Sequence, residues 1–179
     1  SKRKSLSCNP RLKLNTNIFR AYDIRGIAYE ELSREVVIAI GKALGSKVLK
    51  QEDKSLIVAR DGRNSSPEMH EWITEGIFSS GCNVIDIGIV PTPLLYFSTH
   101  KLKNQNGIMI TGSHNPAEYN GFKIVLKNRV LSGESIQSIK KEIEEENFLS
   151  GCGKGESQDI RDMYLDEVKS NISLKKPLK

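Results

Sequence analysis

The chain has 179 residues, of which 37% are hydrophobic and 27% charged, which is enough for one packed domain with an extension and too few for several. Its formal net charge is +5, but the two ends together carry eight basic residues, so the body is close to neutral. No aromatic interleaving or nucleic-acid motif accompanies this charge, and nucleic-acid binding is therefore not indicated. The terminal basic residues are Lys2, Arg3, Lys4, Arg11, Lys13, Lys175, Lys176 and Lys179.

Membrane and disulfide signals are weak throughout the sequence. No stretch approaches the roughly 18 apolar residues of a membrane span, and no apolar signal core follows the basic start. We therefore expect a cytoplasmic protein without a membrane partner. The three cysteines, Cys8, Cys82 and Cys152, form no C-x-x-C pair, which predicts free thiols rather than a disulfide framework or a zinc site. Cys82 is expected to be a small core residue.

Helical and strand patterns alternate along the chain. The predicted helices are residues 30–49, 66–80, 94–102 and 132–146, and the predicted strands are residues 55–59, 84–88, 108–110 and 122–126. Such alternation predicts a three-layer α/β/α domain around a mixed, mostly parallel sheet of about four strands. Too few residues separate the last two strands for a helical crossover, so we expect residues 122–126 to form an antiparallel edge strand.

The hexapeptide 111–116, with the sequence TGSHNP, follows the strand at 108–110 and is the strongest functional signal. It presents Ser113, His114 and Asn115 on one tight turn, and Gly112 lets the backbone approach a ligand closely. Hydrogen-bond donors around a hydroxyl suit a phosphoryl group. A serine hydrolase elbow would need glycines two residues before and after the serine, and this loop lacks them. The same residue types also occur in ordinary turns, so the loop alone leaves that alternative open.

Two further segments carry basic side chains toward this loop. The segment 60–63, with the sequence RDGR, ends a predicted strand at the sheet edge where ligands of open α/β sheets collect, and Arg63 is expected near the serine. A strand over residues 19–26 would place Tyr22 on one face and Asp23 and Arg25 on the other. Arg25 in that position has the geometry to clamp a phosphate.

Together these segments resemble the α-D-phosphohexomutase family, with the strongest likeness to its bacterial phosphomannomutase/phosphoglucomutase members. The resemblance runs from about residue 15 to residue 164. Its motifs are FRAYDIRG at 19–26, RDGR at 60–63, VPTP at 90–93, TGSHNP at 111–116 and YNGFK at 119–123.

The resemblance implies that Ser113 is a phosphoserine. It would give its phosphoryl group to a sugar monophosphate and take one back from the hexose 1,6-bisphosphate intermediate after that intermediate reorients. Lys123 is then a candidate general acid/base and Arg25 a charge stabiliser. The residues implied in the site are the catalytic Ser113, Lys123, Arg25 and His114, and the substrate- or phosphate-binding Tyr22, Asn115 and Arg63.

The resemblance also implies a Mg²⁺ cofactor that this chain does not hold alone. The metal would lie between the phosphate of Ser113 and carboxylates outside the chain, because the family's aspartate-rich metal loop has no counterpart here. Family members are longer enzymes. Residues 15–150 therefore correspond to domain I, residues 1–14 to a basic tail, and residues 151–179 to a linker and helix leading toward a missing second domain. The linker, 151–155, is expected to be flexible, and the helix to span 159–172.

The function that follows is that of an intramolecular phosphotransferase of the isomerase class. It would interconvert the 6-phosphate and 1-phosphate of mannose, glucose or both, with the remaining domains of the same polypeptide as partners. The isolated chain is expected to be inactive, since it lacks the loops that hold the metal and read the sugar. The alternative is a stand-alone phosphate-binding or regulatory module without catalysis.

Overall fold

The computed structural model describes residues 12–171. Most of the predicted basic tail, Cys8 and the last residues of the chain lie outside this range. No helix between residues 12 and 171 combines the length and apolar character needed to cross a bilayer.

Between residues 12 and 171, five α-helices and seven strands form the fold, after a short 3-10 helix at Thr16–Ile18. The helices are α1 (Arg34–Lys50), α2 (Ser66–Ser79), α3 (Thr92–Lys101), α4 (Glu134–Glu144) and α5 (Arg161–Asn171). The strands are β1 (Ile24–Ile27), β2 (Ser55–Arg60), β3 (Asn83–Ile89), β4 (Gly107–Ile110), β5 (Tyr119–Leu126), β6 (Arg129–Val130) and β7 (Gly155–Ser157).

All seven strands belong to one sheet of order β1-β5-β4-β2-β3-β7, with β6 also paired to β5. The strands β4, β2, β3 and β7 pair in parallel, whereas β5 is antiparallel to both β4 and β1. The predicted fold class is confirmed, although the sheet has more strands than the four or so expected. The edge position of residues 122–126 is wrong, because β1 pairs along the outer side of β5 with Ile24 opposite Phe122. The apolar pattern of a strand does not show whether a distant segment pairs with it.

The two faces of the sheet bury separate cores. One face packs against α1, α2 and α4, and the other against α3 and the start of α5. Where α1 crosses α2, Gly41 and Gly76 let the helix backbones touch: a Cβ at Gly41 would overlap the carbonyl oxygen of Ile73, and one at Gly76 that of Ile38. The three layers predicted from the sequence are thus present, with an unusually close helix pair on one side.

The N-terminal elements begin later than the sequence pattern suggests. Residues 20–23 form a turn, in which the Arg20 N–H donates to the Asp23 carbonyl at 3.0 Å. The strand therefore starts only at Ile24. The helix predicted from residue 30 starts at Arg34, because the Ser33 hydroxyl caps it by accepting from the backbone of the first turn. Tyr22 therefore lies in a turn rather than on a strand face.

The glycine-rich segment expected to be a flexible linker is instead packed against the domain. The Gly153 N–H donates to the Phe78 carbonyl at 2.9 Å, and a Cβ at Gly153 would overlap the carbonyl oxygen of Cys82. The segment leads straight into β7, which pairs in parallel with β3. Close backbone packing, rather than mobility, thus accounts for these glycines.

Both cysteines in the described range, Cys82 and Cys152, are free thiols, as the sequence predicts. Cys82 is fully buried in the core, and this burial raises the pKa of its thiol to about 12. The Cys82 side chain therefore behaves as a small, unreactive core residue.

Candidate active site

Ser113 lies on the loop between β4 and β5, two strands that are hydrogen-bonded neighbours. Its backbone adopts a left-handed conformation with φ of 53°, which costs a non-glycine residue roughly 1 kcal/mol. The Ser113 N–H donates to the Thr111 hydroxyl at 2.9 Å, and the Ser113 carbonyl accepts from Arg63 Nη2 at 2.9 Å. Two neighbouring side chains therefore hold the serine in this conformation.

Arg63 lies against this loop, and both of its Nη groups donate to backbone carbonyls. Its Nη1 donates to the carbonyls of Pro116 at 2.7 Å and Tyr119 at 3.0 Å. Its Nη2 donates to those of Ser113 at 2.9 Å and Asn115 at 2.7 Å. All four Nη hydrogens are thus engaged. The loop therefore occupies these donors, and a phosphate- or substrate-binding role for Arg63 stays a prediction.

Gly112 makes the arginine contact possible. A Cβ at this position would overlap the guanidinium carbon of Arg63. From the sequence, we expect Gly112 to let the backbone approach a ligand. In the structure, the group that the glycine admits is a side chain of the chain itself.

Asp61 connects the serine loop to the start of α2. Its Oδ1 accepts from the Arg63 N–H at 3.0 Å and the Ser66 hydroxyl at 2.6 Å, and its Oδ2 from the Gly112 N–H at 3.3 Å. Burial alone would raise the pKa of the Asp61 carboxyl, but these hydrogen bonds, with one from Thr111, outweigh burial and lower the pKa below its ordinary value. The ionised carboxylate is therefore part of the folded loop.

Replacing Asp61 by asparagine is expected to cost about 1–3 kcal/mol of unfolding free energy at pH 7. Because the folded pKa is lowered, the carboxylate's contribution is present above the ordinary value of 3.8 and is lost as pH falls below it. The difference in unfolding free energy between wild type and Asp61→Asn should therefore become smaller from pH 6 to pH 3 in urea unfolding experiments. Asp162→Asn, at an exposed position, is the control. A gap independent of pH would contradict the role assigned to Asp61.

Asn120 adds a second connection that sequence reasoning missed. Its buried Nδ2 donates to the hydroxyls of Ser65 at 2.8 Å and Ser66 at 3.1 Å, which joins β5 to the start of α2. Both Asp61 and Asn120 stand inside motifs that the sequence analysis singled out. Their positions in these motifs marked both residues as candidates, but nothing in the sequence pattern distinguished a residue that supports the loop from one that binds a ligand.

The structure brings Arg25 to Ser113. The Arg25 side chain is only 12% exposed and donates from Nη2 both to the Ser113 Oγ at 3.3 Å and to the Asp23 carboxylate. Its Nε is buried without a hydrogen-bond partner. On the neighbouring strand, Gly121 lies opposite Arg25 without a side chain, because a Cβ there would overlap the Ile24 carbonyl oxygen and lie 3.3 Å from the Arg25 Cβ. A guanidinium with an unused buried donor thus lies beside the serine hydroxyl.

Lys123 lies on the same face of the sheet as Arg25. In the β1–β5 register Arg25 is opposite Gly121, and Lys123 is two residues farther along β5, so its side chain points to the same side. Lys123 is half-buried. Among the hydrogen bonds of residues 12–171, none joins Lys123 to Ser113.

The other predicted site residues are more peripheral. Tyr22 is 75% exposed in its turn, and His114 is exposed on the loop. Asn115 closes the loop, since its N–H and its Nδ2 both donate to the Gly112 carbonyl, at 3.0 Å and 3.1 Å. The binding roles of Tyr22 and Asn115 and the catalytic role of His114 remain predictions.

Magnesium does not fit the described residues alone. No group of three or more His, Cys, Asp or Glu residues suitable for a metal occurs between residues 12 and 171. Asp61 is engaged by hydrogen bonds and Asp23 is paired with Arg25. Within residues 12–171, the only metal ligand expected from the sequence is therefore a phosphate carried by Ser113.

Comparison with known proteins gives a consistent result. Residues 16–150 match the family model described as phosphoglucomutase/phosphomannomutase, alpha/beta/alpha domain I. A phosphomannomutase/phosphoglucomutase from Pseudomonas aeruginosa is 43% identical over 166 residues, which are 93% of this chain and 36% of the relative. A phosphoglucomutase from Neisseria meningitidis is 42% identical over 164 residues, 90% of this chain and 36% of the relative.

A solved structure agrees with these sequence matches. The phosphoglucomutase/phosphomannomutase family protein from Burkholderia thailandensis superposes with a TM-score of 0.86 at 38% identity, covering 92% of this chain and 38% of that one. The chain thus spans little more than a third of the length of the relatives it matches. From the family-model match and these relatives, we conclude that the chain belongs to the phosphoglucomutase/phosphomannomutase family and matches its alpha/beta/alpha domain I.

Proposed function

We propose that this chain is the phosphoserine-bearing part of a phosphohexomutase that interconverts hexose 6-phosphate and hexose 1-phosphate. Mannose and glucose phosphates are the proposed substrates, because the relatives are named for mutases of those sugars. The observation that carries the proposal is the Arg25 guanidinium, held 3.3 Å from the Ser113 Oγ with its buried Nε unpartnered.

An unpartnered buried donor costs about 1–3 kcal/mol, and a ligand that satisfies it recovers that cost. A phosphate on Ser113 would bring acceptor oxygens and a charge of about −1.5 to −2 to this position. Arg25 would then share its donors between Asp23 and the phosphate. The loop geometry therefore suits a phosphorylated serine better than a free one.

In the proposed reaction, the bond between the Ser113 Oγ and phosphorus breaks as a sugar hydroxyl oxygen bonds to phosphorus. The electron pair of the broken bond stays on Oγ, where Arg25 stabilises the charge, and the hydroxyl proton passes to a base, for which Lys123 is our candidate. The hexose 1,6-bisphosphate then reorients, and its other phosphoryl group returns to Ser113 by the reverse step. The face shared by Arg25 and Lys123 supports these roles.

The proposal extends to the longer polypeptide. Mg²⁺ is proposed as a cofactor only together with carboxylates outside this chain, and sugar recognition is assigned to the remaining domains. The proposed location is the cytoplasm. The isolated 179-residue chain is expected to show negligible mutase activity, because it spans only 36% of the mutases it matches and lacks their remaining positioning groups.

Mass spectrometry of the endogenous protein tests this proposal. Trypsin releases residues 104–123, a peptide in which Ser113 is the only serine, so fragmentation distinguishes it from Thr111 and Tyr119. We expect a polypeptide more than twice the length of this chain, with phosphate on Ser113. An endogenous chain of this length without phosphate would contradict the mutase and favour the stand-alone module.

A further inference from the structure

We propose that Arg63 is a positioning residue for phosphoryl transfer, which fixes the Ser113 hydroxyl by clamping the carbonyls of its loop. The inference rests on the proposed function, but its structural part is testable without any activity. It assigns to Arg63 a role different from the phosphate binding expected from the sequence.

The hydrogen bonds of Arg63 extend along the whole serine loop. The four carbonyls that Arg63 binds belong to Ser113, Asn115, Pro116 and Tyr119, so one guanidinium spans the loop from the serine to the start of β5. Its side chain is only 17% exposed. A planar guanidinium directs four Nη hydrogens in fixed directions, whereas a lysine ammonium has three donors on a flexible stem. Arginine therefore suits this position and lysine does not.

Arg63 also stabilises an unfavourable backbone conformation at Ser113. Ser113 has a positive φ, which persists in a non-glycine residue only where the surroundings impose it. Arg63 Nη2 bonds the Ser113 carbonyl, while Thr111 accepts from the Ser113 N–H. Gly112 leaves space for the guanidinium. These contacts hold the serine backbone on both sides of its Cα.

Arg63 is itself held in place by Asp61 and the start of α2. The Arg63 N–H donates to Asp61 Oδ1 at 3.0 Å, and Asp61 Oδ2 lies 3.5 Å from Arg63 Nε. Asp61 in turn accepts from Ser66, the first residue of α2. The clamp is thus anchored on a helix, and the Ser113 Oγ is held at a fixed place beside Arg25.

The experiment compares backbone amide hydrogen exchange by NMR in the ¹⁵N-labelled 179-residue chain and its Arg63→Lys variant. We expect the amides of Ser113, Asn115 and Tyr119 to exchange at least about tenfold faster in the variant, while amides of β2 keep their protection. Arg34→Lys is the matched control, because among residues 12–171 the Arg34 side chain donates to Glu75 on α2 and makes no hydrogen bond to the loop.

Gly112→Ala provides a second variant, since its Cβ displaces the guanidinium while Arg63 itself is retained. It should reproduce the local increase in exchange. Unchanged loop exchange in both variants would overturn the proposal, and so would faster exchange throughout the sheet, which would mean that Arg63 supports the whole domain instead.

In the full-length enzyme, a positioning role predicts that Arg63→Lys lowers kcat by about 10- to 100-fold and leaves KM unchanged. A rise in KM with kcat unchanged would overturn the positioning role in favour of phosphate binding. If the proposed mutase reaction is itself wrong, wild type shows no turnover, and the exchange experiment still decides whether Arg63 clamps the loop.

Discussion

Under the proposed mechanism, replacing Ser113 by alanine or glycine in the full-length polypeptide is expected to reduce mutase turnover by at least about a thousandfold, because it would remove the proposed phosphoryl carrier. The two variants should differ in stability. Glycine adopts the φ of 53° without strain, whereas alanine retains the strain of the serine. Ser113→Gly should therefore be at least as stable as wild type while inactive.

The measurement is steady-state turnover of mannose and glucose 1-phosphates, together with urea unfolding of the same preparations. Ser132→Ala, at an exposed position outside the site, is the control and should keep wild-type turnover. Turnover of Ser113→Gly within tenfold of wild type would refute the phosphoserine mechanism. Loss of activity together with unfolding would instead contradict the strain assigned to Ser113.

The second large effect is expected at the crossing of α1 and α2. Gly76→Ala should destabilise the domain by about 2–3 kcal/mol, because the new Cβ meets the Ile38 carbonyl, a backbone atom that cannot move aside without separating the helices. Without this clash the same substitution would stabilise the domain, because alanine has a higher helix propensity than glycine by about 1 kcal/mol. The sign of the effect therefore tests the contact directly.

Urea unfolding of the 179-residue chain measures this effect. Gly62→Ala is the control, because no atom lies within 4 Å of the place that its Cβ would occupy, and the φ of Gly62 is not positive. The control should stay within about 0.5 kcal/mol of wild type. A Gly76→Ala protein as stable as wild type would show that the two helices do not touch through their backbones.

Local patterns in the sequence were sufficient to predict the layered architecture. The alternation of helical and strand periods predicted the helices α1 to α4 and the strands β2 to β5, because each buries an apolar face of its own. The pattern could not predict that β1 pairs with β5 or that β7 extends the sheet beyond β3. Those pairings join segments far apart in the chain, and β7 has three exposed residues without an apolar signature.

The sequence predicted which residues belong to the candidate site better than it predicted the role of each residue. The motifs identified Ser113, Arg25 and Arg63, and the structure gathers them around one loop. Which arginine faces the hydroxyl and which holds the backbone depends on the directions of individual donors, and composition does not encode those directions. Asp61 shows the same limit, because a carboxylate that accepts backbone N–H groups has no distinctive spacing.

The parallel pairing of β7 has a topological consequence for a longer polypeptide. Because β7 runs in the same direction as β4, the chain passes Ser157 at the sheet edge from which the serine loop projects. The chain does not stay at this edge. The helix α5 packs along α3, with Tyr164 against Phe97 and Glu167 paired with Lys101, so it runs toward the end of the sheet at which β4 begins. A longer polypeptide would have to turn back from that end to bring further groups to Ser113.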